Sequence, residues 1–235
     1  MKDFQDTISL KIGSEELIKN IELRKLIKYK LNKDDFTAEE LESVDEIILD
    51  SKNIVGDYNT VYFEELDFFP NLERISIRNL GISNQNIIKL KNIKQIEFIN
   101  CELEELEGLQ NVKCLKLINS EVENLESIGK LTEITELHLI NMKFENLDML
   151  KIYKNLNKLV IKNVKGFLLS KIDFYLPIKY LSIENIDCIN LNVLSKYKEL
   201  SIFSVDRNEA EKFEDELKEL KDKGIQILLN DQYKY

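Results

Sequence analysis

Residues 134–155 read ITELHLINMKFENLDMLKIYKN and combine two hydrophobic spacings. Counting Ile134 as position zero, apolar residues follow at plus three, five, ten, thirteen and sixteen: Leu137, Leu139, Phe144, Leu147 and Leu150. A spacing of two predicts a short strand, because alternate strand residues share a face, and a spacing of three predicts a helical or 3₁₀ return. One such unit cannot bury its apolar side alone, so the pattern predicts copies of it stacked on each other.

The same pattern recurs through most of the chain. Position zero falls at Val44, Leu72, Ile93, Val112, Ile134, Leu156, Ile178 and Leu200, and the last five of these lie 22 residues apart. Every residue at positions zero, plus three and plus five is apolar, in a chain that is 43% hydrophobic overall. We therefore predict an α/β solenoid of about eight units, with a curved parallel sheet and a helical or 3₁₀ convex side.

The residues before and after the repeats predict helical caps. Ser14 is a candidate N-cap for a helix with Leu17, Ile21, Ile27 and Leu31 on one side. Thr37 and Glu40 form a capping box, and residues 55–71 add an aromatic-rich insertion. Residues 208–223 predict a helix that ends at Gly224, followed by a last strand at 225–229. We expect one continuous domain with an N-terminal cap (1–43), leucine-rich units (44–207) and a C-terminal helix-strand cap (208–235).

Composition restricts the class of function. With 33 basic and 43 acidic residues the formal charge is −10, which argues against non-specific binding of nucleic acid. Cys101, Cys114 and Cys188 are odd in number and lack CxxC spacing, which argues against a disulfide framework or a zinc site. No apolar run approaches the ~18 residues of a membrane span. We expect a cytoplasmic protein without cofactor or metal, or a secreted or cell-surface protein if a signal sequence has been removed.

The units, LxxLxLx with further leucines behind, resemble the leucine-rich repeat family. Their 22-residue length resembles its bacterial internalin-like branch, and residues 31–41, LNKDDFTAEEL, are similar to segments that precede the repeats in that branch. The resemblance covers about residues 32–207 and implies the solenoid fold. It implies little about function, because the family is defined by its core.

Position plus eight departs from the family's usual pattern, a buried Asn or Cys. Here plus eight reads Lys52, Leu80, Cys101, Ser120, Met142, Val164, Ile186 and Asn208. Asparagine instead fills position plus seven at Asn79, Asn100, Asn119, Asn141, Asn163 and Asn185. We expect these asparagines to lie in the bend after each strand, since Asn tolerates a left-handed backbone and can bond locally.

Residues at plus two, four and six are expected on the open, concave face of the sheet. Ile99, Ile118 and Ile140 align there in neighbouring strands and predict an exposed apolar stripe, although single isoleucines are common on strands without any partner. Basic residues flank the stripe: Arg74 and Arg78 on one side, and Lys158 and Lys162 on the other. A protein partner with an apolar patch flanked by acidic residues would suit this face.

The predicted partner-binding set is Arg74, Arg78, Ile99, Lys116, Ile118, His138, Ile140, Lys158, Lys162 and Tyr180. We predict a non-catalytic protein-interaction module, in concrete form a cytoplasmic bacterial immunity, adaptor or regulatory protein. An exported, adhesin-like module of the cell surface is the alternative. A third hypothesis is a thiol enzyme that uses Cys114 and His138, which lie diagonally on neighbouring strands. An open sheet, however, offers such a pair neither a water-excluded pocket nor an oxyanion site.

Overall fold

The computed structural model describes residues 17–51, 61–143, 148–164, 172, 175–186 and 190–230. The predicted cap at Ser14, the plus-eight residue Lys52 and the apolar residues Phe144 and Leu147 lie outside the described residues.

Within the described part of the chain, nine parallel strands form the main sheet and lie in it in chain order. They are Glu46–Asp50 (β1), Arg74–Arg78 (β2), Gln95–Ile99 (β4), Cys114–Ile118 (β6), Glu136–Ile140 (β8), Lys158–Lys162 (β9), Tyr180–Glu184 (β10), Ile202–Asp206 (β11) and Gln226–Asn230 (β12). The first eight each run from position plus two to position plus six, so the predicted parallel sheet is confirmed. In each, plus three and plus five face the core, because alternate strand residues share a face.

The chain returns behind the sheet through short segments. A second sheet consists of the two-residue strands Gly81–Ile82 (β3), Glu102–Leu103 (β5) and Glu121–Val122 (β7). The return segments include two α-helical turns, Val61–Glu65 and Asn84–Ile87, and the 3₁₀ helices Leu66–Phe68, Ile88–Leu90, Leu125–Lys130, Asp148–Ile152 and Leu191–Lys196. The spacing of three therefore corresponds mainly to 3₁₀ geometry, in which residues three apart share a face.

The core is a set of continuous columns along the stack. Every residue at positions zero, plus three and plus five is at most 7% exposed. Burying one such aliphatic side chain stabilises the folded chain by about 1.5–3 kcal/mol. Since each unit contributes three of these residues and contacts only its neighbours, the stability of the chain is distributed along the stack.

The asparagines at position plus seven occupy the bends, as predicted. Their φ angles lie between 46° and 57°, in the left-handed region. Each of the first five donates its backbone N–H to the last strand residue of the following repeat, as Asn79 does to Ile99 O at 2.8 Å. Their side chains also form runs of a ladder: Asn100 Nδ2 donates to Asn79 Oδ1 at 2.9 Å, and Asn185 Nδ2 to Asn163 Oδ1 at 2.8 Å.

Replacing Asn163 by alanine is expected to lower the free energy of unfolding by about 1–2 kcal/mol, because alanine is strained at φ 52°. Replacing Asn163 by glycine removes the same side-chain hydrogen bonds but keeps the permitted φ, so it should cost less than alanine. Urea unfolding of the two variants measures the difference. An alanine variant as stable as the glycine variant would contradict the role of the bend.

Among the described residues, position plus eight performs the buried polar function in two repeats. Ser120 Oγ lies within hydrogen-bond distance of Phe98 O (3.2 Å) and Ile118 O (2.9 Å), and it accepts from Cys101 N at 3.0 Å. Cys101 Sγ lies 3.3 Å from Ile77 O. In four other repeats an apolar side chain fills this position (Leu80, Met142, Val164 and Ile186), and Asn208 in the last repeat is exposed. In this chain the repeated asparagine therefore lies at position plus seven, one residue before its usual place in the family.

Helices Ile21–Leu31 and Ala38–Leu41 precede the first repeat. Asn20 begins the first helix by accepting from Leu23 N at 2.9 Å. In the second, Glu40 Oε2 accepts from Thr37 N at 3.0 Å, as the capping box predicts. The predicted apolar face is wrong at Ile21, which is 57% exposed, because Ile18, Leu23 and Ile27 are the residues that face the core.

Helices Arg207–Lys212 and Glu214–Asp222 follow the last repeat. The first is capped by Asp206, whose Oδ1 accepts from Glu209 N at 3.0 Å. Gly224 ends the second with φ 86°, where other residues would be strained. The chain then adds β12 to the sheet beside β11.

Candidate protein-binding surface

The three isoleucines of the predicted stripe lie side by side. Ile99 is in register with Ile118, and Ile118 with Ile140, which places them at the ends of three neighbouring strands. Ile99 and Ile118 are partly exposed, but Ile140 is only 6% exposed. The predicted exposed stripe is therefore wrong at Ile140. Lys162 is its neighbour in register, and that side chain is itself only 12% exposed.

The four flanking cations already have acidic partners within the chain. Their closest pairs are Arg74–Asp45 at 2.7 Å, Arg78–Glu97 at 3.7 Å, Lys158–Glu136 at 2.9 Å and Lys162–Glu184 at 2.8 Å. Each pair joins residues of adjacent repeats. The flanks thus present neutralised pairs to an incoming partner, rather than free positive charge.

Lys116 differs from these four cations. Glu97 is its neighbour in register, but the Glu97 carboxylate accepts a hydrogen bond from Ser76 Oγ at 2.9 Å and lies near Arg78 on the other side. No acidic oxygen among the described residues lies within 4 Å of the Lys116 ammonium group. Lys116 therefore lies on the open face without an ion pair among the described residues, two residues from Ile118 on the same strand.

Glu136 organises a polar cluster in the middle of the face. Its Oε1 lies 2.6 Å from His138 Nε2 and 2.9 Å from Lys158 Nζ. Burial alone would raise the pKa of Glu136, but the hydrogen bonds from Lys158 and His138 leave it below the ordinary value. Burial also lowers the pKa of His138, despite the opposing effect of Glu136. Lys158 Nζ further lies 5.4 Å from the Tyr180 ring centroid, within cation–π range.

The cluster does not activate Cys114. Burial, reinforced by the nearby Glu136 carboxylate, raises the pKa of the Cys114 thiol to about 11. His138 is hydrogen-bonded to Glu136, on its own strand. A nucleophilic cysteine needs the opposite environment, in which neighbouring positive charge lowers the thiol pKa. This geometry argues against the thiol-enzyme hypothesis.

Alkylation of Cys114 by iodoacetamide at pH 7.5 is expected to be about 100-fold slower than alkylation of an ordinary thiol, since the pKa is raised from 9.0 to about 11. The rate should increase about tenfold per pH unit between pH 7 and 10 without a plateau. Mass spectrometry of the peptide that contains Cys114 measures it, with the urea-unfolded chain as control. A plateau below pH 9 would restore the case for a reactive thiol.

Two features of this face did not follow from the candidate list. Ile48 lies at plus four of β1 and is 42% exposed, and its column places it on this face but does not by itself predict its exposure. Ser182 and Ser204, in the same column, are at most 2% exposed.

Within the described residues no group of three or more His, Cys, Asp or Glu side chains could hold a metal ion, and no helix there is long and apolar enough to span a membrane.

No family model matches the chain, and no curated protein matches it. Solved structures do. An internalin (InlF) from Listeria monocytogenes strain 4b F2365 matches with a TM-score of 0.59 and 20% identity, over 85% of this chain and 59% of that one. Internalin C2 from the same strain matches with a TM-score of 0.57 and 16% identity, over 93% and 96% of the two chains. This chain has the leucine-rich repeat fold of the internalins.

Proposed function

We propose that this chain is a non-catalytic protein-binding module whose partner contacts the open face of the main sheet. The observation that carries the proposal is the grouping of Ile99, Ile118 and Lys116 on two adjacent strands. Two partly exposed isoleucines lie side by side, and an ammonium group without an ion pair among the described residues lies next to them. A specific protein interface usually has an apolar centre with polar contacts around it, and the two isoleucines with Lys116 beside them fit that arrangement.

The chemistry of this group narrows the kind of partner. Because the four flanking cations already have acidic partners, they do not need carboxylates from the binding partner. The surface therefore favours a partner with one carboxylate near Lys116 and an apolar side chain over Ile99 and Ile118. The sequence had suggested a partner whose apolar patch has acidic residues on both sides. The remaining predicted contacts, His138, Lys158 and Tyr180, belong to the Glu136 cluster. A partner could bind these three side chains only by replacing the bonds that they already make with each other and with Glu136. They therefore form a fixed surface beside the contact with the partner.

Two locations are compatible with such a module. The described cysteines, Cys101 and Cys114, are both free thiols, which supports a reducing, cytoplasmic location and hence an adaptor, immunity or regulatory role in a bacterium. The fold shared with Listeria internalins supports the alternative of an exported, adhesin-like module. Fractionation of the source cell, with detection of the native chain by antibody, separates these two candidates.

Replacing Ile118 by aspartate is expected to weaken partner capture at least tenfold while leaving folding intact, because a charge is placed in the apolar contact. Lys116→Glu should weaken capture by a similar factor through repulsion of the partner's carboxylate. Pull-down from the source cell, followed by titration with the captured protein, measures the effect. Ile88→Asp is the matched control, since Ile88 is 58% exposed and lies on a return segment. Undiminished capture by both open-face variants would overturn the proposal.

A further inference from the structure

The last strand of the sheet, β12, has an edge with which none of the described residues pairs. Gln226 N donates to Ser201 O at 2.8 Å, which shows that residues 226, 228 and 230 direct their backbone groups towards β11. In a parallel ladder the alternate residues point the other way. Ile227 and Leu229 therefore direct their N–H and C=O groups away from the sheet, and none of the described residues pairs with them.

The strand β12 lacks the charges and prolines that commonly protect an edge. Natural edge strands are commonly interrupted by charges, prolines or bulges that prevent pairing with another chain. β12 reads QILLN and has neither a charged residue nor a proline. Leu229 is in register with the fully buried Val205 of the core, yet it is 45% exposed because no described strand lies beyond β12 to cover it.

At the opposite edge of the same sheet, the N-terminal helix contacts the first strand. Glu46 of β1 directs its carbonyl outwards, and Lys30 Nζ from the N-terminal helix donates to it at 2.6 Å. Ile47 and Leu49, the core-facing residues of β1, are 1% and 3% exposed. Only the β12 end thus combines unpaired backbone groups with an exposed core residue, among the residues that the structure describes.

We propose that β12 is a self-association edge, to which a second copy of this chain adds its own β12 in antiparallel orientation. The strand is complementary to itself. With Leu228 facing Leu228 across a two-fold axis, Ile227 of one copy faces Leu229 of the other, and Gln226 faces Asn230. Apolar side chains then meet apolar side chains on both faces, and the terminal amides each offer a donor and an acceptor.

The backbone geometry selects this register. Antiparallel pairing requires that outward-facing residues face each other, so Ile227 and Leu229 must form the hydrogen-bonded pairs. That condition is met only when the two-fold axis passes through a residue, so that the residue faces its own copy. When that residue is Leu228, all five residues of β12 find a partner in the other copy. Leu228 then becomes a non-hydrogen-bonded pair, with its two Cα atoms about 4.5 Å apart.

The dimer should be weak and should strengthen with salt. A single five-residue strand pair buries far less than the roughly 1,200 Å² of a stable interface. Each copy carries a charge of −10, so repulsion opposes association at low ionic strength and is screened by added salt. An interface held by ion pairs would show the opposite salt dependence.

Sedimentation equilibrium of the full chain between about 5 and 500 μM, a range that brackets weak association, tests the proposal. We expect a dimer whose fraction rises with concentration and with NaCl. Leu229→Lys and Leu229→Pro should each abolish it, the second by removing an outward N–H that makes no bond to β11. Ile21→Lys, at a residue that is 57% exposed elsewhere, is the matched control and should dimerise normally.

Cysteine cross-linking tests the register. Under mild oxidation Leu228→Cys should form a disulfide-linked dimer more readily than Leu229→Cys, whose Cα atoms would be about 7–8 Å apart, and more readily than the unsubstituted chain. A chain that is monomeric throughout, or a dimer unaffected by both Leu229 variants, overturns the proposal. So does a dimer seen only after removal of residues 231–235, which would mean that this segment covers the edge.

Discussion

Replacing Phe98 by alanine is expected to lower the free energy of unfolding by about 3–5 kcal/mol. Phe98 is fully buried at plus five of β4, in register with Ile77 on one side and Leu117 on the other, both also fully buried. Truncation removes the transfer free energy of the ring and leaves a cavity between rigid strands. Because the stack cannot close lengthwise without breaking strand pairing, the cavity should remain largely open.

Urea unfolding followed by circular dichroism measures this loss. Phe68→Ala is the matched control, since Phe68 is 47% exposed and its removal should cost less than about 1 kcal/mol. Hydrogen exchange should also show the loss concentrated in β2, β4 and β6, because each repeat contacts only its neighbours. A Phe98→Ala loss no larger than that of Phe68→Ala would mean that the columns do not form a packed core.

Replacing Glu65 by alanine is expected to cost about 2–4 kcal/mol. Glu65 is only 6% exposed, and its carboxylate accepts from Lys19 N at 2.8 Å and from Asn20 N at 3.1 Å. It thereby joins the segment before helix Ile21–Leu31 to the helical turn Val61–Glu65 behind the sheet. Alanine leaves two backbone donors without their acceptor and releases the start of the cap helix.

Hydrogen exchange in helix Ile21–Leu31, together with urea unfolding, measures the effect. Amides of this helix should lose protection more than those of β8 or β9, since the bond acts on the cap. Glu64→Ala is the matched control, because Glu64 is the exposed neighbour of the same turn. Equal stability of the Glu64 and Glu65 variants would show that the carboxylate does not anchor the cap.

Much of the solenoid could be predicted because its information is periodic and local. The spacing of two predicted a short strand in each of the first eight units, and the columns at zero, plus three and plus five predicted the core. The left-handed bends at Asn79 and its equivalents also followed from one residue type, since only a few residues tolerate that backbone. The N-terminal helix was harder, because its face depends on what packs against it, and Ile21 was placed on the wrong side.

The candidate surface was less accessible to sequence reasoning. The pattern gave the correct column for each open-face residue and the adjacency of Ile99, Ile118 and Ile140. It did not give the burial of Ile140 or the pairing of Arg78 with Glu97, which is 19 residues away in sequence. Nor did it show that Glu136 holds His138 and Lys158. The burial and ion pairing of these side chains depend on the rotamers that neighbouring strands allow, and several combinations of rotamers are compatible with the same sequence spacing.

The sequence by itself determined that this chain forms a leucine-rich repeat stack, because a repeated apolar period has one way to bury itself, by adding copies along an axis. The tertiary structure alone decided which open-face residues remain available. Ion pairing between repeats neutralised four of the predicted cations, and that pairing depends on distances across strands that spacing along one strand does not contain. The structure also decided that the N-terminal helix contacts one edge of the sheet whereas no described residue pairs with the other, since a cap reaches an edge only through its packing against it.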